Sequence, residues 1–191
     1  GIVVMMVVLD WRLSIVSFVV RKPGGRYLHH NFVVALLNDL FGIQARGGCS
    51  CAGPYGHRLL GIDLEHSQAF QHEIAAGCEG IKPGWVRVSF GYFIDDAVAD
   101  YLIEAVRFVA AEGERFLTDY CFEPVSGLWR HRQALAEPPL QLAELLFDGT
   151  GPDPIPRADA SVLTSYLEQA RRLAESRPRP EPDHHASGLG A

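Results

Sequence analysis

The sequence has few lysines, few cysteines and no apolar run long enough to cross a membrane. Lys22 and Lys82 are its only lysines, and the formal net charge is -6 with no cluster of basic residues. This charge disfavours nucleic acids and anionic membrane surfaces as partners, because both are themselves negative. The first nine residues are apolar, but Asp10 and Arg12 end this run. It is therefore much shorter than the roughly 20 apolar residues that a membrane span needs. No basic segment precedes them, so we interpret residues 1–12 as a boundary segment, with a buried strand favoured over a targeting signal.

The cysteines exclude a disulfide-rich secreted protein. There are four, at Cys49, Cys51, Cys78 and Cys121, which is too few and too scattered for a disulfide framework. We therefore expect a reducing, cytoplasmic location. Cys49 and Cys51 lie near His57, but no second pair of ligands completes a tetrahedral zinc site. The sequence therefore predicts no metal site.

Hydrophobic periodicity predicts strands and helices that alternate along one domain. An apolar fraction of 48% is enough to build a core, and the order of elements fits a two-layer α/β sandwich. We expect this domain over residues 13–175, followed by a disordered, proline-rich tail at 176–191. The expected strands are 13–20, 43–46 and 85–92, with a hairpin at 120–131. The expected helices are 30–41, capped by His30 or Asn31 and ended by Gly42; 57–60; 65–76; one that begins at Asp95 and Asp96; and 160–175, capped by Asp159.

The strand predicted at 85–92 separates apolar from polar side chains. One face comprises Val86, Val88, Phe90 and Tyr92. Arg87 and Ser89 lie on the other face, because successive side chains of a strand point in opposite directions. A guanidinium held on a rigid strand offers two parallel N–H groups to a carboxylate. Arg87 is therefore a candidate for substrate binding, and the alternative is a structural arginine in a salt bridge.

A second candidate is the loop Arg46-Gly47-Gly48-Cys49-Ser50-Cys51-Ala52-Gly53-Pro54. Its small residues would expose a thiol, and the nearby Arg46, His57 and Arg58 would favour the thiolate, which is the nucleophilic form. The alternative for Cys51 is a buried, inert thiol.

Together the loop and Arg87-Val88-Ser89 resemble the C-terminal part of class V aminotransferases, the family that includes the cysteine desulfurases. The resemblance implies a two-layer α/β domain with a small mixed or antiparallel sheet covered by helices. It implies that Cys51 attacks the sulfur of the substrate and becomes a persulfide, and that Arg87 holds the α-carboxylate. Arg46 would orient the loop or bind carboxylate. Cys49-Ser50 departs from the family, since several desulfurases have histidines there.

The resemblance also implies pyridoxal phosphate, a small amino-acid substrate and a homodimer, with a transferase or lyase activity. The family's cofactor-binding lysine lies in a large upstream domain. Lys22 and Lys82 each precede a proline in a predicted turn and do not resemble that lysine's surroundings. We therefore expect the chain to be the substrate-side domain, to need an upstream large domain as its partner, and not to bind the cofactor alone. A free-standing sulfur-relay protein and a non-catalytic interaction domain are the alternatives.

Overall fold

The computed structural model describes residues 2–7, 14–22, 25–48, 53–134, 159 and 161–179. Within them it is a mixed α/β structure with two antiparallel sheets. The strands are β1 (Ile2–Val7), β2 (Ile15–Val20), β3 (Arg46–Gly48), β4 (Trp85–Ser89), β5 (Tyr120–Glu123) and β6 (Leu128–His131). The α-helices are α1 (His30–Phe41), α2 (Gly53–Leu60), α3 (Leu64–Ala75), α4 (Asp96–Glu112) and α5 (Ser161–Glu175), and two 3₁₀ segments lie at Glu79–Ile81 and Gly113–Asp119.

The larger sheet has the order β1-β2-β4-β3, and every neighbouring pair is antiparallel. The predicted 13–20 strand corresponds to β2, which lies between two neighbours as its apolar character on both faces requires. The apolar N-terminal residues form β1 at the edge of the sheet, with Ile2 opposite Val20 and Val7 opposite Ile15.

One face of the sheet packs on helices to form the core. Helix α1 contacts β2, β3 and β4, and also α4 and α5. The core residues that lose nearly all contact with solvent include Phe18, Val20, Val86, Val88, Phe32, Leu36, Leu37, Ala105, Val109, Phe116 and Ala170. Val86 and Val88 face this core, as the alternation of strand 85–92 predicts.

The ends of α1 show why a helix forms there. His29 is the N-cap residue, and its ring Nδ1 accepts a hydrogen bond from the Asn31 backbone N–H. The prediction of His30 or Asn31 as the cap was wrong by one or two positions. Gly42 ends the helix as predicted, with φ of 65°, a left-handed conformation that glycine adopts without a Cβ clash.

Two predicted strands differ from the observed ones. The strand expected at 43–46 begins three residues later, as β3 (Arg46–Gly48). Ile43 belongs instead to the end of α1, because its N–H donates a hydrogen bond to the Leu37 carbonyl. Strand β4 ends at Ser89, and the Tyr92 side chain is 77% exposed. Tyr92 therefore does not belong to the core face, contrary to the prediction.

The C-terminal half follows its local sequence signals. Asp95 caps α4 by accepting the Val98 N–H, and Asp159 accepts the Ser161 N–H at the start of α5. Arg177 lies just beyond α5, where the sequence predicts the tail to begin. It pairs with Asp119 at 2.5 Å and lies over the Phe116 ring. In the described part of the chain, no helix is both long and apolar enough to span a bilayer.

Candidate functional site

The candidate site lies on the sheet face that points away from α1, which we call the second face. It carries Trp85, Arg87 and Ser89 of β4, because these alternate with the buried Val86 and Val88. Arg87 is half-buried and Ser89 is exposed. The structure therefore places Arg87 on a rigid strand, facing away from the core, as the sequence predicts.

Arg46 lies directly opposite Arg87 on the neighbouring strand. The register of β3 and β4 pairs Arg46 with Arg87, Gly47 with Val86 and Gly48 with Trp85. Directly opposed residues of antiparallel strands project on the same face with Cβ atoms about 4.5–5.5 Å apart. On the other side of Arg87, β2 places Ser17 at the opposing position. The second face thus has a row of polar residues across three strands: Ser17, Arg87 and Arg46.

This row has positive charge that the described residues do not neutralise. Neither Arg46 nor Arg87 forms an ion pair with a carboxylate of the described chain. The Arg87 Nε is fully buried and, among the described residues, has no hydrogen-bond acceptor. A buried N–H without an acceptor costs about 1–3 kcal/mol. An unpaired, partly buried guanidinium next to a second one is a site at which an anion would bind favourably.

Close packing of glycines fixes the position of β3. A Cβ on Gly84 would lie 2.7 Å from the carbonyl carbon of Gly48, and a Cβ on Gly47 would lie 2.4 Å from the Asn31 Oδ1. The glycines therefore let β3 lie tightly between the start of α1 and the segment that leads into β4. This contact holds the backbone of Arg46 in register with Arg87.

His29 fixes the same end of α1 from the other side. Its Nδ1 accepts the Trp129 indole N–H at 3.1 Å and the Asn31 N–H at 3.2 Å, and its Nε2 lies 2.7 Å from the Gly80 carbonyl. Since indole and backbone N–H groups only donate, Nδ1 must be unprotonated and Nε2 must carry the hydrogen. The sequence predicted a cap at His30 or Asn31, next to this residue, and did not predict the contacts of His29 to Trp129 and Gly80, which come from distant segments.

Burial shifts the titration of both histidines toward the neutral form. The pKa of His29 is lowered mainly by desolvation, and the hydrogen bond to Gly80 opposes this in part. Desolvation, together with repulsion from His29 whenever that ring is protonated, lowers the pKa of His30 from 6.5 to about 4. The His30 ring stacks on His29 with centroids 4.4 Å apart. Both rings are therefore neutral near pH 7 and act as packing and hydrogen-bonding groups.

Cys49 and Cys51 lie outside the described residues, so the structure gives no geometry for the predicted nucleophile. The described cysteines are Cys78, which is half-buried, and Cys121, which is exposed. No cluster of histidine, cysteine, aspartate or glutamate in the described part of the chain could hold a metal ion.

Both lysines already have carboxylate partners. Lys22 pairs with Glu114, and Lys82 pairs with Glu79. In this arrangement each ammonium neutralises a glutamate.

Comparisons with known proteins add no assignment. No family model matches the sequence, no curated protein matches it, and no solved structure matches the fold.

Proposed function

We propose that the second face binds a small carboxylate through Arg87, with Arg46 beside it. The observation that carries this proposal is the buried Arg87 Nε that lacks an acceptor. The Arg87 Nε is covered in this structure, so a carboxylate that approaches the half-buried guanidinium would first displace the atoms over this N–H, and would then receive two parallel hydrogen bonds from Nε and the adjacent terminal nitrogen. Since charge-assisted hydrogen bonds are stronger than neutral ones, the bound anion would satisfy the orphaned group and offset the charge of the arginine pair.

We further propose that this is the substrate side of a pyridoxal-phosphate enzyme of the class V aminotransferase type. The support is the resemblance of the Arg46–Pro54 loop and of Arg87-Val88-Ser89, together with a mixed α/β fold and an arginine that faces away from the core. In such an enzyme Arg87 would hold the α-carboxylate of an amino-acid substrate and so fix which of its bonds faces the reacting groups. Cys51 would act as the thiolate nucleophile in a desulfurase.

The cofactor would come with another domain. Bound pyridoxal phosphate supplies an electron sink for carbanion chemistry. The support for placing its attachment lysine elsewhere is that Lys22 and Lys82 each precede a proline, in surroundings unlike those of the family's lysine. The proposal therefore includes an upstream large domain that carries the lysine, and a homodimer of the complete enzyme. In that assembly the described domain would bind and orient the substrate.

The carboxylate site is tested by NMR on the ¹⁵N-labelled 191-residue chain. Titration with butyrate should shift the Arg87 Nε–H resonance downfield, because that group gains an acceptor. Arg87→Gln should abolish binding, and Arg87→Lys should recover only part of it, since an ammonium cannot form the bidentate pair. The matched control is Arg172→Gln, an exposed arginine of α5. Saturation without any movement of the Arg87 signal would contradict the site.

The cofactor proposal has its own test. Incubation of the chain with pyridoxal phosphate, followed by borohydride reduction and peptide mass spectrometry, should give no stoichiometric adduct. A full adduct on Lys22 or Lys82 would show that the chain contains its own attachment lysine and would overturn the proposed division between two domains.

A further inference from the structure

Arg46 and Arg87, which lie opposite each other, carry more positive charge than one bound carboxylate can neutralise. Directly opposed like charges destabilise a pair of antiparallel strands, and an arginine stays charged throughout the physiological pH range. The register nevertheless places two guanidinium-bearing residues opposite each other. Among the described residues no carboxylate pairs with either of them.

One carboxylate leaves this arrangement half neutralised. Both of its oxygens are used by the bidentate fork of a single arginine. If Arg87 holds the α-carboxylate, as in the proposed function on which this inference rests, the fork of Arg46 remains without an anion. The exposed position of Arg46 at the first residue of β3 lets its long side chain turn toward a group bound at Arg87.

The remaining neighbour of Arg87 does not supply the missing charge. On the β2 side the opposing residue is Ser17, whose hydroxyl can donate or accept a hydrogen bond but carries no charge. Further along β2, Ile15 opposes Ser89 and is 53% exposed. Among the described positions of this row, the positive charge that still lacks an anion is therefore that of Arg46.

We propose that the site selects small ligands with two anionic groups, such as an α-amino acid with an acidic side chain. Arg87 binds one carboxylate and Arg46 binds the second anionic group. The two groups are a few bonds apart in the ligand, because the Cβ atoms of directly opposed residues are about 5 Å apart. The cost of placing two arginines opposite each other is then offset when the ligand is bound.

The experiment compares succinate with butyrate, which have the same four-carbon chain and differ in one carboxylate. Both are titrated into the ¹⁵N-labelled chain at an ionic strength of about 0.01 M, where the Debye length is about 30 Å and charges are weakly screened. The readouts are the Arg87 Nε–H resonance and the dissociation constant. We expect succinate to bind about tenfold more tightly, the effect of one additional charge-assisted hydrogen-bonded pair.

The variants separate this inference from the proposed function. Arg46→Gln should weaken succinate binding much more than butyrate binding and so remove the tenfold preference, whereas Arg87→Gln should remove the binding of both. Arg172→Gln removes the same charge far from the site and should preserve the tenfold preference. Circular dichroism confirms that each variant is folded, and Arg46→Lys provides a second, conservative variant that should retain part of the preference.

Each other outcome contradicts a defined claim. Equal affinities for succinate and butyrate, both lost in Arg87→Gln, would overturn the dianion inference and leave the carboxylate site intact. A preference for succinate that Arg46→Gln does not reduce would also overturn the inference, because another group would then hold the second anion. Absence of binding by both probes would overturn the proposed function itself.

Discussion

Trp129 donates its indole N–H to the Nδ1 of His29 across a separation of 100 residues, with a distance of 3.1 Å. This bond joins β6 of the small hairpin to the N-cap of α1. On its other side, the His29 ring meets the Gly80 carbonyl, so a single imidazole connects three segments that are distant in the sequence.

Trp129→Phe should therefore loosen this connection and leave the aromatic packing in place. The ring of residue 129 contacts Phe32 and Phe122, each with centroids 4.9 Å apart, and phenylalanine can keep both contacts. We expect the free energy of unfolding to fall by about 1 kcal/mol, the net value of one hydrogen bond. A double-mutant cycle with His29→Ala, followed by urea denaturation, should give a coupling energy of similar size. Additive effects would show that the bond contributes nothing to stability.

The free energy of unfolding should also decrease as the pH falls, because of His29 and His30. The folded-state pKa of each is below the value of 6.5, and that of His30 is about 4. Their contribution is therefore fully present above pH 6.5 and decreases as the pH falls below it, because the unfolded chain binds protons that the folded chain does not. For His30 the loss is complete once the pH falls through about 4. For His30 the difference between 6.5 and about 4 corresponds to about 3 kcal/mol at most.

Urea denaturation of the wild type and of His30→Gln at several pH values measures this effect. The difference in unfolding free energy between the two proteins should shrink as the pH falls from 7 to 4. A difference that stays constant over this window would mean that His30 titrates normally in the folded protein.

Local signals were enough to predict most of the helices and the hairpin. Asp95 precedes an amphipathic run and caps α4, and Gly42 ends α1 in the left-handed conformation. The hairpin turn lies between Glu123 and Leu128, where β5 and β6 pair as predicted. These features depend on a few adjacent residues, so the sequence pattern contains them directly.

Strand β3 and the arrangement of the site depend on contacts between distant segments, which the hydrophobic periodicity of the sequence cannot predict. Gly47 and Gly48 are poor strand formers, yet they belong to β3. A Cβ on Gly47 would collide with Asn31, a Cβ on Gly84 would collide with the Gly48 backbone, and Gly48 itself has a φ of 119° that favours glycine. The outward direction of Arg87 was predicted from alternation alone. That Arg46 lies directly opposite Arg87 follows from the register of β3 against β4, which no local pattern specifies.

The reactivity of Cys51 remains a prediction from its glycine-rich loop and basic neighbours. Cys121 is exposed and will compete for alkylating reagents, so the measurement requires a Cys121→Ser background. In that background, brief treatment with iodoacetamide near neutral pH should label Cys51 before the half-buried Cys78, because a thiolate reacts faster than a thiol. Parallel Cys49→Ser and Cys51→Ser variants assign the signal within the loop. Faster labelling of Cys78 would contradict a reactive Cys51.

Gly84→Ala should displace β3 and so disturb the arginine site. The added Cβ would lie 2.7 Å from the backbone carbon of Gly48 and 2.9 Å from the His30 Cε1, so β3 must move away from its neighbours. Overpacking of this kind costs about 1–3 kcal/mol. We expect a lower melting temperature, and also weaker binding of butyrate and succinate, because the position of Arg46 opposite Arg87 depends on β3.

Gly42→Ala is the matched control for this change. Its Cβ would meet nothing within 4 Å, but its φ of 65° imposes about 1–2 kcal/mol of backbone strain on alanine. The two variants should therefore lose similar stability, whereas only Gly84→Ala should change ligand affinity and the Arg87 Nε–H resonance. If Gly84→Ala lowered the melting temperature without affecting either readout, the tight contact between Gly48 and Gly84 would be a requirement of folding alone. The placement of the two arginines would then be independent of it.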